Sequence, residues 1–274
     1  KATTLEAPMF QIIKKIILFI LNPYRLVIAE TIGTSYFVST IGNDDNPGTL
    51  SQPWETLSYA AQQIGAGDIL YIRGGTYQEY FRITSDGESS NPIILMNYNN
   101  EEVIIDGDNN TLPEKDSGTP LLGVLGDYVT VKNLTIRYSG AYGVYVRGAN
   151  VMLDNLFVHH NWNGGVIISG NHDLLTNSRI WYNSTINENS QSPTRWGSGV
   201  SCARYPDYCI IRNTTVWENW GEGVSSFESN GSVIMDNIVH DNWSANIYIS
   251  DSTNVVLQRN FVYASGIMSG GSQV

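Results

Sequence analysis

An asparagine recurs at a nearly constant interval through the second half of the chain, each time between two short alternating apolar runs. The six residues are Asn133, Asn155, Asn177, Asn213, Asn237 and Asn260. Their intervals are 22, 22, 36, 24 and 23 residues, so one insertion interrupts an otherwise regular repeat. Self-similarity at such a period indicates a solenoid, in which each repeat is one coil stacked on the next.

Each repeat contains three short strands. The first leads into the asparagine, the second leaves it, and the third follows a position that is occupied only by Gly143, Gly165, Gly199, Gly223 or Asn246. Glycine and asparagine are the residues that tolerate positive φ, so we expect a left-handed bend there. Neighbouring strands lie ~4.8 Å apart, so equivalent residues stack, and we expect the six repeat asparagines to form one buried, hydrogen-bonded ladder.

These features predict an all-β fold, a right-handed parallel β-helix with three-strand coils of about 22–24 residues. The 36-residue interval places an insertion at 184–195, in the loop before a third strand. Residues 53–65 (PWETLSYAAQQIG) form the best helix candidate, with Leu57, Ala60, Ala61 and Ile64 on one face. We expect this helix to cap the N-terminal end of the solenoid.

The domain organisation is predicted to be simple. Residues 1–29 contain Lys14 and Lys15 before a short apolar run, which is typical of a signal peptide or an N-terminal anchor. Residues 30–274 then form one β-helix domain. Within this domain, residues 30–123 form the N-terminal cap and the first coils, and residues 124–274 form the regular coils. The sequence leaves open whether the regular coils are truncated at the C-terminus. The chain is therefore expected to be secreted, periplasmic or at the cell surface.

Composition narrows the possible partners. Charged residues make up 15% of the chain and the formal net charge is −11, which argues against nucleic acid, because phosphate binding needs a basic surface. Membrane contact is expected only through an uncleaved N-terminal segment.

Cys202 and Cys209 are interpreted as two buried thiols, with a disulfide as the alternative in an oxidising compartment. The sequence leaves the oligomeric state open.

Several segments resemble one superfamily. They are YFVSTIGNDDNPGT, PWETL, GDILYIRGGTY, IIDG and, later, ENWGEGVSSF and NIVHDNWSANIYI. This pattern, over about Tyr36 to Tyr263, is similar to bacterial pectate-lyase-like β-helix proteins. The resemblance implies one fold but does not fix one activity, because this superfamily includes lyases, epimerases and glycoside hydrolases. It also implies a polysaccharide-binding groove along the outward face of the third strand.

Aromatic residues are expected to border that groove. Outward positions on the third strand include Tyr145 and Tyr248, and Arg204 follows one such strand. The preceding loops carry a tryptophan in successive coils: Trp162, Trp196, Trp220 and Trp243. Because sugar faces pack on aromatic rings, these tryptophans are candidate substrate-binding residues; the alternative is that they only pack at the solenoid corner.

Three carboxylates are candidate catalytic residues. Glu222 stands where neighbouring coils have Gly164, Ser198 and Ala245, and Glu218 and Asp241 occupy equivalent positions one coil apart. Glycoside hydrolysis needs one carboxyl group to protonate the leaving oxygen and a second as nucleophile or base, so we expect Glu222 to pair with Glu218 or Asp241. The alternative for all three is a solvated turn.

No cofactor and no metal centre is predicted. The acidic turns at Asp44–Asp45 and Asp106–Asp108 could contribute to a Ca²⁺ site but lack a full ligand set. The resemblance implies that lyases of this fold use Lys or Arg near Ca²⁺, yet no lysine follows Lys132. The sequence therefore favours a glycoside hydrolase over a Lys-dependent lyase, and an Arg-dependent lyase stays open as an alternative. A non-catalytic glycan-binding or surface-attachment protein and a structural envelope solenoid remain alternatives.

Overall fold

The computed structural model describes residues 33–188 and 197–266, and the chain in these ranges winds through three parallel sheets. Sheet A contains β1 (Ser35–Val38), β2 (Ile69–Ile72), β5 (Ile93–Asn97), β8 (Val129–Lys132), β11 (Met152–Asp154), β14 (Leu174–Thr176), β17 (Ile210–Arg212), β20 (Val233–Met235) and β23 (Val256–Gln258). Sheet B contains β3 (Gly75–Tyr77), β6 (Val103–Asp106), β9 (Thr135–Arg137), β12 (Phe157–His159), β15 (Arg179–Trp181), β18 (Thr215–Trp217), β21 (Ile238–His240) and β24 (Phe261–Tyr263). Sheet C contains β4 (Phe81–Ile83), β7 (Leu122–Val124), β10 (Tyr142–Val146), β13 (Gly164–Ile168), β16 (Ser198–Ala203), β19 (Glu222–Phe227) and β22 (Ile247–Ser250).

The pairing confirms the predicted β-helix. Each strand pairs in parallel with the strand of the next coil, as in Leu153 with Leu175 and Val166 with Val200. These aliphatic side chains are at most 1% exposed and stack through the solenoid interior as one continuous core. The alternation of buried and outward positions along each strand leaves one face of every sheet for solvent.

The helix α1 (Leu57–Gln63) is shorter than predicted and begins after Thr56, whose hydroxyl accepts a hydrogen bond from the Tyr59 amide at 3.1 Å. Its apolar face joins the core, since Leu57, Ala60 and Ala61 are fully buried. The helix packs beside β4, the first strand of sheet C, and so covers one end of that sheet. Within the described ranges, no helix combines the length and apolar character needed to cross a bilayer.

The predicted asparagine column is wrong in its register. Asn133, Asn155, Asn177 and Asn213 all have positive φ at the bend between sheets A and B, but Asn177 and Asn213 are exposed. In the next two coils this bend position is held by Asp236 and Arg259. Asn237 and Asn260 lie one residue later, inside the solenoid, where the Asn237 amide donates to Asn260 Oδ1 at 3.0 Å. A slip of one residue changes which side of the chain faces the core.

A different asparagine column is buried at the bend between sheets B and C. Its side chains hydrogen-bond from coil to coil at 2.8–3.0 Å through Asn161, Asn183, Asn219 and Asn242, and the Asn242 amide also donates to Asn246 Oδ1 at 2.9 Å within the same coil. The first four are fully buried. Each Oδ1 of Asn183, Asn219 and Asn242 also accepts the backbone N–H of the preceding asparagine, so buried backbone donors at the bend are satisfied.

This buried column also explains the glycines at the second position of four strands of sheet C, β10, β13, β16 and β19. None of Gly143, Gly165, Gly199 and Gly223 has the left-handed φ that their pattern suggested. Instead, a Cβ on Gly199 would lie 2.6 Å from Asn219 Nδ2, and one on Gly223 would lie 2.5 Å from Asn242 Nδ2. Glycine is required because the asparagine amides occupy the space of a side chain.

Candidate functional site

A groove of about 670 Å³ runs over the outward face of sheet C, from β10 to the region of β22. Its floor follows the strand register, because outward side chains of successive strands stand over one another. The middle of the floor is formed by Ile167, Ser201, Ser225 and Tyr248. One edge of this floor is formed by Tyr142, Gly164, Ser198, Glu222 and Ala245.

Glu222 opens β19 and its carboxyl belongs to the groove floor, although only 6% of the residue is exposed. Burial raises the pKa of this carboxyl, and its own backbone N–H and the Ser198 hydroxyl oppose that rise. Ser198 Oγ lies 3.2 Å from Glu222 Oε2. A carboxyl group with a raised pKa can exist in the protonated form nearer to neutral pH, which a hydrogen-bond donor or general acid requires.

Three serine hydroxyls continue from Glu222 along the floor. Ser198 Oγ is 2.9 Å from Ser225 Oγ, and Ser225 Oγ is 2.7 Å from Ser201 Oγ. The chain arises because Ser198 pairs with Glu222 and Ser201 with Ser225 in neighbouring strands. The sequence analysis did not identify Ser198 as a groove residue. The repeat alignment, which places Ser198 at the position equivalent to Glu222, could have predicted it.

Arg204 contributes the positive charge of the groove within the described ranges. It follows β16 in a left-handed conformation (φ 71°) and is exposed. Its guanidinium carbon lies 5.7 Å from the centre of the Tyr145 ring, which belongs to β10, two strands away. Arg204 therefore extends along the groove toward the N-terminal coils, above an aromatic side chain.

The proposed carboxylate partners do not join Glu222 in the groove. Glu218 is exposed on a left-handed bend, and neither Glu218 nor Asp241 lines the groove. Asp241 accepts hydrogen bonds from Ser265 N and Oγ at 2.6 Å and contacts His240 Nδ1 at 2.8 Å. Burial opposes ionisation of Asp241, but these hydrogen bonds outweigh it and hold its pKa below the usual range. Glu218 and Asp241 are equivalent, as expected, yet they belong to a bend outside the site.

The expected track of exposed tryptophan rings is wrong for Trp220 and Trp243, which are 7% and 5% exposed. Trp162 is half-buried, and Lys115 Nζ lies 4.0 Å from its ring centre. Trp196 lies outside the described residues. The indoles of Trp220 and Trp243 are packed against the solenoid, so they do not offer free ring faces to a ligand. The aromatic residues that line the groove are Tyr142, Phe227 and Tyr248, and Tyr145 stands next to the floor residue Ile167 in the neighbouring strand, where it extends the floor toward the N-terminal coils.

A second aromatic column covers sheet B, with rings stacked at 4.3–6.2 Å through His159, Trp181, Trp217, His240 and Tyr263. The rings lie nearly parallel to one another, so the three inner rings are covered on both faces by their neighbours. Burial lowers the pKa of His159 to about 4, with a further contribution from His160. The column stabilises the stacking of coils, and the faces of its inner rings are not available to a sugar.

Carboxylates of the acidic turns are engaged in hydrogen bonds within the chain. Asp106 Oδ2 accepts a 2.7 Å hydrogen bond from Arg137 Nε, and its Oδ1 accepts the Asp108 amide at 2.9 Å. Asp44 binds the Glu55 and Thr56 amides at the start of the segment that leads into α1. Throughout 33–188 and 197–266, no group of three or more His, Cys, Asp or Glu side chains is placed to hold a metal ion.

Cys202 and Cys209 form a disulfide that closes the loop after β16. Both residues are fully buried, with Cα atoms 6.1 Å apart. The bridge is the alternative expected for an oxidising compartment, and the interpretation as two free thiols is wrong. It fixes the loop that carries Arg204 at the edge of the groove.

The chain matches a family described as the Pel9A-like, right-handed β-helix region over residues 36–257. Pectate lyase PEL9 of Emericella nidulans is 27% identical over 261 residues, which cover 89% of this chain and 60% of that protein. YwoF of Bacillus subtilis is 33% identical over 129 residues, or 44% of this chain and 27% of that protein. The chain thus spans less than two thirds of either relative.

Solved structures show the same fold. Pectate lyase Pel9A superimposes with a TM-score of 0.69 at 19% identity, covering 89% of this chain and 74% of that one. The GH136 lacto-N-biosidase of Eubacterium ramulus gives a TM-score of 0.59 at 14% identity, covering 84% and 56%. Proteins with a lyase name and with a glycosidase name therefore share this architecture, and the site must decide between chemistries.

Proposed function

Since this chain belongs to the family of Pel9A-like right-handed β-helix regions, we propose that the groove on sheet C binds an acidic polysaccharide. Two relatives are named as pectate lyases, and pectate is a polymer of a sugar carboxylate. The relatives are longer than this chain, so the shared β-helix supports the binding role more directly than it supports a complete catalytic site.

The observation that carries the proposal is the position of Arg204. The chain has a formal net charge of −11, which repels an anionic polymer in general, so a local cation is needed where such a polymer binds. Arg204 supplies that cation at the groove, and its planar guanidinium can hold a carboxylate through two parallel hydrogen bonds. Tyr248, which is 43% exposed, offers an aromatic surface on the same floor.

Glycoside hydrolysis is the second candidate, favoured by the raised pKa of Glu222. A protonated Glu222 could transfer a proton to a leaving glycosidic oxygen, as a general acid must. The second carboxyl of such a mechanism is not supplied by Glu218 or Asp241, because both lie outside the groove. Binding is therefore the function that the described residues support best.

Export to an oxidising compartment is part of this proposal. It is supported by the disulfide between Cys202 and Cys209, because structural disulfides persist outside the cytosol. The charged and apolar pattern of residues 1–29 is consistent with the same route. Expression with the natural N-terminus, followed by assay of the culture medium and thiol labelling, would test it; a reduced protein retained in the cytosol would contradict it.

The proposed function is tested by ligand preference and by product analysis. The protein should bind oligogalacturonides and bind a neutral xylo-oligosaccharide of equal length at least several-fold more weakly. An unsaturated product would indicate elimination, and a saturated reducing end would indicate hydrolysis. Equal affinity for acidic and neutral oligosaccharides, or no affinity for either, would overturn the proposal.

A further inference from the structure

Among the described residues, the two charged side chains that line the groove, Arg204 and Glu222, stand far apart. The Arg204 guanidinium lies over Tyr145 of β10, whereas Glu222 belongs to β19, three strands further along the solenoid. Three strand spacings correspond to about 14 Å, which exceeds the Debye length of about 8 Å at physiological ionic strength. The two charges therefore act on different parts of any bound sugar chain.

Glu222 has no cation to compensate it within the described groove. Its partner is the Ser198 hydroxyl at 3.2 Å, and Ala245 occupies the equivalent position on the other side. Burial is the main cause of its raised pKa, and no positive side chain contributes. A second carboxylate placed beside Glu222 would raise the pKa further and cost binding free energy, because two like charges in a partly buried site disfavour ionisation.

The surroundings of Glu222 suit an uncharged sugar instead. Ser198, Ser225 and Ser201 form a continuous row of hydroxyls that starts at the Glu222 carboxyl. Hydroxyl oxygens both donate and accept hydrogen bonds, and a carboxylate accepts strongly from sugar hydroxyls. Ala245 and Gly164 leave space on either side of the pair of Glu222 and Ser198.

We propose that the groove has two subsites of different specificity, one for a sugar carboxylate at Arg204 and Tyr145, and one for an uncharged sugar at Glu222 and Ser198. The preferred ligand is then a chain that alternates or mixes acidic and uncharged residues, such as a partly methyl-esterified polyuronate, rather than a contiguous polyuronate. This inference rests on the proposed function, since it assigns the specificity of the same groove.

Three oligosaccharides of equal length distinguish the subsites: a fully de-esterified oligogalacturonide, a partly methyl-esterified one and a neutral xylo-oligosaccharide. Titrations at mildly alkaline pH keep Glu222 ionised. Wild type should bind the partly esterified ligand most tightly. Glu222→Gln should strengthen binding of the fully acidic ligand several-fold and abolish the preference for the esterified one. Arg204→Gln should weaken both acidic ligands and leave the neutral one unchanged.

The control is Glu218→Gln, which removes the same charge from an exposed bend outside the groove and should change no affinity. Weaker binding of the fully acidic ligand by Glu222→Gln, or an unchanged preference among the three ligands, would overturn the two-subsite inference while leaving acidic-polysaccharide binding intact. Absence of binding to both acidic ligands by wild type would overturn the proposed function itself. Circular dichroism of each variant establishes that the fold is retained.

Discussion

Ser198 Oγ lies 3.2 Å from the Oε2 atom of Glu222, across the pair of neighbouring strands β16 and β19. The contact joins a hydroxyl to a carboxyl group that is 6% exposed on the groove floor. It lowers the pKa of Glu222 and so partly offsets the effect of burial. Burial and this one neighbouring side chain therefore act in opposite directions on the protonation of the carboxyl.

Removal of that hydroxyl should change the titration of Glu222. In Ser198→Ala the ionised form loses a hydrogen-bond donor, so the pKa of Glu222 should rise further above its usual value. A carbon-detected NMR titration of the carboxyl group would measure it. Ser169→Ala is the matched control, because the Ser169 hydroxyl has no hydrogen-bond partner. An unchanged or lower pKa in Ser198→Ala would contradict the assigned contact.

The buried Asp173 should make stability depend on pH. Burial raises its pKa to about 7, its Oδ1 accepts the Val151 amide, and its Oδ2 has no partner. The folded-state pKa exceeds the ordinary value of 3.8, so the fold favours the protonated form of Asp173. The stability that depends on this protonation is fully present below about pH 4 and is lost as pH rises through about 7. The loss amounts to up to about 4 kcal/mol.

Asp173→Asn should therefore flatten the dependence of the free energy of unfolding on pH between those limits, and should stabilise the protein near neutral pH. Urea unfolding of wild type and variant at a series of pH values measures the difference. If both proteins lose stability equally as pH rises, Asp173 is not the group responsible.

The buried asparagine column at the bend between sheets B and C should contribute more to stability than the exposed asparagines at the bend between sheets A and B. Asn219 donates to Asn242 Oδ1 and accepts from both the Asn183 backbone and side-chain amides. Asn219→Ala leaves these buried groups unpaired and should cost about 2–4 kcal/mol. Asn213→Gly, at an exposed left-handed bend, should cost less than about 1 kcal/mol. Similar losses in chemical denaturation of the two variants would refute this distinction.

The glycine column is expected to be intolerant of a methyl group. In Gly199→Ala the new Cβ would lie 2.6 Å from Asn219 Nδ2, so the asparagine column must shift, at a cost of about 1–3 kcal/mol. Gly65→Ala is the control, because no atom lies within 4 Å of the position that its methyl group would take. The melting temperature should fall in the first variant alone; an equal change in both would show that steric contact is not the reason for glycine at position 199.

The repeat in the sequence was sufficient to predict the coils, because an interval of 22–24 residues leaves few alternatives for a chain with alternating apolar runs. It did not fix which asparagines face inward. The interval from Asn213 to Asn237 is 24 residues, whereas the strands pair at 23, as Arg212 does with Met235. That single residue separates an outward bend position from an inward one.

The sequence predicted where the groove lies but not which side chains line it. The equivalence of Ser198 and Glu222 follows from repeat alignment, and it was expected. The burial of Trp220 and Trp243 was not predictable, because spacing places a ring at a corner without deciding which side of the corner it covers. Likewise, the reach of Arg204 toward Tyr145 depends on a left-handed residue after β16 that no repeat pattern reveals.

Calorimetric titration of a partly methyl-esterified oligogalacturonide into wild type, Arg204→Gln and Arg212→Gln tests the central claim most directly. Arg212 is exposed on sheet A, away from the groove, and provides the matched loss of charge. Wild type and Arg212→Gln should bind equally, and Arg204→Gln should bind about tenfold more weakly, which corresponds to about 1.4 kcal/mol. Equal affinity of all three proteins, or no binding by wild type, would contradict the assignment of the groove on sheet C as an acidic-polysaccharide site.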